Sequence, residues 1–570
     1  MGFRSIVRRV LVLSSFSLIG ILFFFIYSFL SFTSWSGGVM KFNSPDETAN
    51  YFFSRQVVVT GSPSYHEPLL EVSKGFVHPR SMTVAGSNVV PVSFLGMVLM
   101  YGNLGKLFGI GVIPFITPFV AVLSAGFFVL LVRQFFSYRI ALLSGLILLI
   151  HPAYWYNASR AMLPNVLFVD LLIIGFSLLI FGYRRMMRQQ NSKQVILSLA
   201  ILCFAGMSIG MSLAVRLSEA VWIFALVFFA FIYSLRRPSL SSYACVLTGI
   251  ALPVLVLLFA NEHVYGNPII FGYQTIDFQP SAQAFEKSVG ALKSFDIHNI
   301  ASLLQQTVSP FFKYILPFGF APTMFSLQFK DFFVKMFWWM IPLIMLGVGV
   351  IFREGLLRMM KREKDGNALY LGIFFAVSAW LIVYYGSWSV IDTVTKEIAI
   401  GSSYVRYWLP MSILSIPCIA YAFFFLKDRA QGWQRMLIGM CAAFFIGYSV
   451  YAVLLQPPEG LIISSGHVRE NFDKLEKVKQ FTPQDAIIIS PRSDKIFFPE
   501  RKTAQGYEGF AEIPLLGEIM KSAPVYYYGF WKKEDAAFLS GKFFTGHHLA
   551  LEFVAQIDQN EYLYQVRSIK

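Results

Sequence analysis

The chain has 570 residues, 56% of them hydrophobic and only 14% charged, with a mean hydropathy of +0.59. That composition excludes an ordinary soluble enzyme. The formal charge of +15 invites a nucleic-acid reading, but six short segments (4–9, 133–139, 184–193, 236–237, 353–365 and 427–435) hold 19 Lys/Arg against four acids and so carry all of it. A nucleic-acid footprint gathers on one folded face, whereas basic segments interleaved with apolar runs are a positive-inside signature.

Residues 10–32 form the first apolar run, too long for a signal-peptide core and without a small-residue cleavage site after it, and are expected to be an uncleaved anchor. A loop over 33–110 follows, opening on Asn43-Ser44-Pro45-Asp46-Glu47-Thr48 and continuing into an aromatic amphipathic stretch over 51–59. Two spans between 89 and 132 would export every later basic segment. Residues 89–109, interrupted by Pro91, Gly96, Gly102, Asn103 and Gly105, are therefore expected as a helix lying at the membrane interface, and 111–132 as the second span. Further spans near 140–155, 161–182, 195–214, 219–235, 242–261, 336–352, 368–388, 404–426 and 436–455 bring the expected crossings to eleven.

Charge parity puts five pieces outside: 33–110, the turn around His151 to Arg160, 262–335, 389–403 and the tail 456–570. The tail has a β-branched run at 485–490, an apolar helical stretch near 513–521, and further runs at 524–530 and 548–554. The expected fold is an α-helical polytopic membrane protein. It comprises a transmembrane unit over 1–455 and a small extracytoplasmic α/β domain over 456–570, with the N-terminus cytoplasmic. Cys203, Cys245, Cys418 and Cys441 fall in expected spans without ligand-like spacing.

Adjacent carboxylates at Asp46 and Glu47, beside the membrane surface, suggest general-base chemistry on a hydroxyl nucleophile. After Pro45 the same acids also suit the first turn of a helix, for capping and dipole reasons. The Asp46-Glu47 pair after the first span is followed by Pro79-Arg80 and by Pro91 before an expected helix ending in Lys106-Leu107-Phe108-Gly109. Then come Asn157-Ala158-Ser159-Arg160-Ala161-Met162-Leu163-Pro164, Tyr265-Gly266-Asn267-Pro268 and Tyr404-Val405-Arg406-Tyr407-Trp408-Leu409-Pro410. In their order and their sides these motifs resemble the GT-C glycosyltransferases, in the branch of protein O-mannosyltransferases and lipid A aminoarabinose transferases, over residues 1–425.

The resemblance implies transfer of one sugar, a mannose-like hexose or a pentose, from a polyprenyl-phosphate donor to an acceptor hydroxyl at the outer face. It implies inversion, with Asp46 as base and Glu47 in support. The leaving phosphate then needs cations at membrane depth, for which Arg80, Arg160, Arg216 and Arg406 are candidates. An arginine at that depth faces a cavity, pairs or snorkels, and Arg216 stands three residues before Glu219, the spacing of a helical ion pair. His66, Glu67, His78, Glu262, His263 and Lys396 are candidates for the acceptor or the cavity wall. His66-Glu67 is a small ligand set for a metal, and a divalent cation is left open with no other cofactor expected. Asp170, inside an expected span, is either functional or a hydrogen-bonded structural acid.

Expected partners are the lipid-linked donor and a protein, lipid or glycan acceptor, in the plasma (inner) membrane of a prokaryote. Trp338-Trp339 is followed by Met340 rather than by the Asp of an oligosaccharyltransferase Trp-Trp-Asp motif, so en bloc glycan transfer is not expected. There is no phosphate loop for ATP-driven transport and no evident β-trefoil. Two alternatives stay open: a non-enzymatic carrier, although no inverted repeat is visible, and a glycan polymerase or ligase using a diphosphate-linked donor.

Overall fold

Backbone amides inside a bilayer have no water to bond, so long apolar runs can close their hydrogen bonds only as helices. The computed structural model describes residues 17–36, 38–187, 192–234, 240–272, 316–361, 366–388, 398–506 and 510–569. Its α-helices outside the first loop and the tail are α1 (Ser17–Thr33), α4 (Ile116–Val132), α5 (Tyr138–Ile150), α6 (Pro152–Ser159), α7 (Pro164–Met186), α8 (Ser192–Val215), α9 (Ala220–Ser234) and α10 (Leu240–Tyr265). They continue with α11 (Pro322–Phe329), α12 (Ile341–Met360), α13 (Gly366–Gly386), α14 (Ser403–Tyr407), α15 (Leu409–Arg429) and α16 (Trp433–Leu454).

Each of the eleven expected spans holds a helix among its described residues, though 161–163 and 336–340 are turns or irregular, and among the described residues seven helices are long and apolar enough to cross a membrane, or eight if the bent pair α5 and α6 counts as one. The differences have local causes. Pro152 starts a new helix after His151 and bends the third span by 51°. Pro410 divides the tenth expected span into α14 and α15, and Arg353, Glu354 and Arg358 load the second half of α12 with charge.

Helices α8 and α10 approach closely through small residues four apart, the usual device where lipid supplies no hydrophobic drive. A Cβ on Gly206 would lie 2.2 Å from the Val246 carbonyl oxygen, and one on Gly210 2.4 Å from that of Ile250. Both obstacles are backbone, so nothing can rotate aside. Gly206→Leu is expected to abolish recovery of folded protein, read as loss of the monodisperse peak in detergent gel filtration.

The first loop folds as a unit. It contains a hairpin of β1 (Trp35–Ser36) and β2 (Val39–Met40), helix α2 (Pro45–Thr60), an antiparallel sheet in the order β3-β5-β4 and helix α3 (Leu95–Phe108). Strands β3, β4 and β5 span Tyr65–His66, Met82–Ala85 and Asn88–Pro91. Residues 89–91, expected as the start of the interfacial helix, are strand instead. Gly86 at φ +60° makes the two-residue turn that folds β5 back on β4, and the helix begins only after Phe94.

The tail opens with α17 (Leu461–Phe481) and builds a five-stranded sheet in the order β7-β6-β8-β10-β9. Its strands are β6 (Ile487–Ser490), β7 (Lys502–Gln505), β8 (Val525–Gly529), β9 (Leu549–Asp558) and β10 (Glu561–Ser568), with short helices α18 (Asp494–Phe497), α19 (Ile513–Ile519) and α20 (Lys533–Leu539). Strands β7, β6 and β8 are parallel, and β10 and β9 add as an antiparallel hairpin. Successive residues of β6 face opposite ways. Ile488 packs on Leu475 and Val478 of α17, while Ile487 and Ile489 join Leu516 of α19 together with Leu69 and Val77 from the first loop.

Candidate active site

Helix α2 places the two carboxylates. Pro45 occupies its first position, Ser44 caps it by accepting a 3.3 Å hydrogen bond from the Asp46 amide, and Asp46 and Glu47 lie in the first turn. Ser44 and Glu47 have the spacing of a capping box, in which the Glu would turn back to the cap. Here it turns inward: Arg160 donates to Glu47 Oε2 through Nη2 at 2.5 Å and Nε at 3.2 Å, and both side chains are buried. The helix-start and functional readings of this motif are thus both compatible with the geometry.

Asp46 faces another way and keeps 34% of its side chain exposed, enough for a substrate to reach it. The Ser81 hydroxyl donates to Asp46 Oδ1 at 2.6 Å, and Arg406 Nη2, from α14, donates to Oδ2 at 3.4 Å. Ser81 holds φ +61°, a left-handed conformation costly for a non-glycine residue. Its carbonyl accepts from the Val92 amide at 3.3 Å, and the preceding Arg80 donates from its amide to Asp494 Oδ2 at 2.7 Å and from Nε to Oδ1 at 2.8 Å, with a further bond to the Arg492 carbonyl. The tail therefore ties down the residue before Ser81. Removing the hydroxyl of Ser81 takes away one hydrogen bond to a charged acceptor, worth about 1.5–3 kcal/mol. Ser81→Ala is accordingly expected to lower the Tm by a few degrees, measured by thermal unfolding in detergent.

A cavity of about 10 Å³ beside Asp46, lined by Asn50, Ser81, Val92 and Ser93, has room for about one water. A larger one of about 300 Å³ lies elsewhere, in the seam between Phe52, Tyr65 and Glu67 of the first loop and Phe498, Glu500 and Lys502 of the tail.

The other candidates are placed as follows. Arg216 stands in the break between α8 and α9 and donates from Nε to Glu219 Oε1 at 3.2 Å, the pairing its spacing allows although it is made across a single 3-10 turn, and from Nη2 to the Tyr385 hydroxyl at 2.7 Å. Its guanidinium also lies 5.0 Å from the Tyr407 ring, which the Arg406 guanidinium approaches at 5.3 Å. Glu67 Oε1 accepts from Lys502 Nζ at 2.6 Å and from the Leu69 amide at 3.1 Å. His66 Nδ1 is 3.0 Å from the Ser87 carbonyl oxygen. Among the described residues no three His, Cys, Asp or Glu side chains gather as a metal would need.

Burial holds the His78 imidazole below its ordinary value, against the opposing effects of the Pro79 carbonyl and Asp494. Glu262 and His263 are exposed at the end of α10 and are not gathered at Asp46. Lys396 lies outside the described residues. Asp170 Oδ1 accepts from Ser124 Oγ at 2.5 Å and from the Tyr154 hydroxyl at 2.6 Å, inside the bundle. Of the four arginines, one reaches Asp46, one holds Glu47, and Arg80 and Arg216 are each tied to a different carboxylate.

Sequence reasoning missed Ser81, Asp494 and Lys495. Lys495 Nζ donates to the carbonyl of Asn43, three residues before Asp46. The described basic clusters occupy the opposite ends of the helices that lead away from this site. Helix α7 starts just after Arg160 and ends on Arg184 and Arg185, while α15 starts after Arg406 and ends on Lys427 and Arg429.

No protein-family model matches this chain, and no curated protein matches it significantly. Among solved structures, the apo oligosaccharyltransferase of Archaeoglobus fulgidus aligns with 94% of this chain and 70% of its own, at a TM-score of 0.51 and 12% identity. The same enzyme tethered to an acceptor peptide containing the NVT sequon aligns over 90% and 69%, at 0.53 and 12%. ArnT from Cupriavidus metallidurans, bound to undecaprenyl phosphate, aligns over 97% of each chain at 0.49 and 12%. The fold, a helical membrane unit joined to a C-terminal α/β domain, is of the GT-C type. It is similar in particular to that of the archaeal oligosaccharyltransferase.

Proposed function

We propose that this protein is a membrane glycosyltransferase that moves a single sugar from a polyprenyl-phosphate donor to an acceptor hydroxyl on the extracytoplasmic face. The observation that carries the reading is the pairing of Asp46 with Arg406: a carboxylate one-third open to the exterior, and a guanidinium 3.4 Å from it.

The acceptor oxygen attacks the anomeric carbon as Asp46 takes its proton. The bond from that carbon to the phosphate oxygen breaks on the opposite side, giving inversion, and its electron pair leaves with the polyprenyl phosphate. Arg406 faces the charge that develops there, so catalysis is proximity and electrostatics. Glu47 and Arg160 form the buried ion pair that anchors the first turn of α2. The described basic clusters at the far ends of α7 and α15 support a cytoplasmic side opposite the site. The fold of the archaeal enzyme, whose structures include one with an acceptor peptide, is compatible with this chemistry, and the missing Trp-Trp-Asp motif favours transfer of one sugar over en bloc transfer.

The test is release of free polyprenyl phosphate by full-length protein in lipid nanodiscs, given a panel of polyprenyl-phosphate hexoses and pentoses with a crude envelope extract as acceptor. Release from one donor supports the transferase and names its sugar. Translocation of a donor without release would replace this reading with the carrier.

A further inference from the structure

Three cations stand close together where the tail meets the first loop, and two of them are accounted for by ion pairs. Arg80 is held by Asp494 at 2.8 Å and Arg160 by Glu47 at 2.5 Å. The third is Lys495, on the single turn α18. It makes no ion pair among the described residues, and its hydrogen bond goes to the backbone carbonyl of Asn43. That carbonyl belongs to the segment leading into the α2 cap, so the ammonium sits beside the turn that carries Asp46.

Burying a cation beside two others costs free energy that one neutral carbonyl does not return. Burial first, then Arg80 and Arg160, push the Lys495 ammonium down from its ordinary 10.5 to about 8, while Asp494 and Glu47 oppose them. An arriving anion relieves both the desolvation and the repulsion. The donor carries a phosphodiester with one negative charge, and loss of the sugar leaves a monoester that gains a second, so a cation placed here favours the departing group over the bound donor.

We propose that Lys495 binds the donor phosphate, so that the C-terminal domain supplies part of the catalytic unit's cation set. The inference rests on the glycosyltransferase reading and adds to it a residue from a part of the chain outside the motifs on which that reading stands.

The experiment compares wild type, Lys495→Arg and Lys495→Met as full-length proteins in nanodiscs, measuring kcat/KM for the donor and KM for the acceptor from pH 6.5 to 9.5. Because kcat/KM reports the free enzyme, loss of the Lys495 proton should lower the wild-type value by about tenfold between pH 7 and pH 9. The arginine variant, charged throughout, should lack that decline. The methionine variant should be reduced about tenfold or more at pH 7 and show no such limb.

Wild-type donor kcat/KM in Lys495→Met, an unchanged high-pH limb in Lys495→Arg, or an effect confined to acceptor KM would each overturn the assignment, the last pointing to an acceptor phosphate. If Lys495→Met does not fold, the arginine profile decides alone. If wild type shows no turnover with any donor, it is the transferase reading that fails. The anion site is then read by direct binding of polyprenyl phosphate, expected to weaken from pH 7 to 9 in wild type and not in Lys495→Arg.

Discussion

Asp46→Asn is expected to lower turnover by about 10²–10⁴-fold, the usual contribution of a positioned general base, while leaving the fold and donor affinity nearly intact. The structure explains why the two effects separate. Asp46 contributes to α2 through its backbone amide, which bonds to Ser44 whatever the side chain is. An asparagine can still accept from Ser81 through its amide oxygen. What the variant loses is the capacity to take a proton and the charge facing Arg406. Release of polyprenyl phosphate at saturating donor gives kcat, and the dependence on donor concentration gives KM. A variant with wild-type kcat removes Asp46 from the mechanism; one with normal kcat and a raised KM makes it a binding residue instead.

Glu47→Ala should act in the opposite way, through stability. Glu47 is 1% exposed and Arg160 7%, so truncating the acid leaves a buried guanidinium without its counter-charge, at a cost of about 3–5 kcal/mol. Thermal unfolding in detergent should show a markedly lower Tm. The double variant Glu47→Leu with Arg160→Met removes both charges and should recover much of the loss, because a buried pair replaced by apolar side chains of similar size is often neutral in stability. If both residues serve only to anchor α2, the double variant also recovers activity. If Glu47 works directly on the substrate, stability returns and turnover does not.

The contrast between these neighbours shows how far the sequence could be read. The spacing Ser44-Pro45-Asp46-Glu47 announces a helix start, and α2 begins at Pro45. Nothing local distinguishes an acid that meets an arginine 113 residues away from one that stays open to substrate. The strand at 88–91 was illegible for a related reason. Its longer pairing, with β4, is local, but a short apolar run such as Val89-Val90 fits either strand or helix, and its other partners, Tyr65 and His66, lie beyond β4 and a long irregular connection. Arg216 had its partner Glu219 three residues away, but Arg80, Arg160 and Arg406 look alike as isolated outer-side cations. Which carboxylate each meets was decided by helix packing and by the return of the tail, as with Arg80 and Asp494, 414 residues apart.

Sequence alone therefore determined the membrane class, the positions of the apolar helices, the segregation of basic loops and the α/β character of the tail. These are properties of consecutive residues, set by apolar length, period and local charge, and they survive without knowledge of the neighbours. Only the tertiary structure decided the site. Ser81 on Asp46, Arg160 on Glu47 and Lys495 beside the α2 turn are meetings between distant segments, and their geometry depends on helix and sheet contacts that no local pattern of residues encodes.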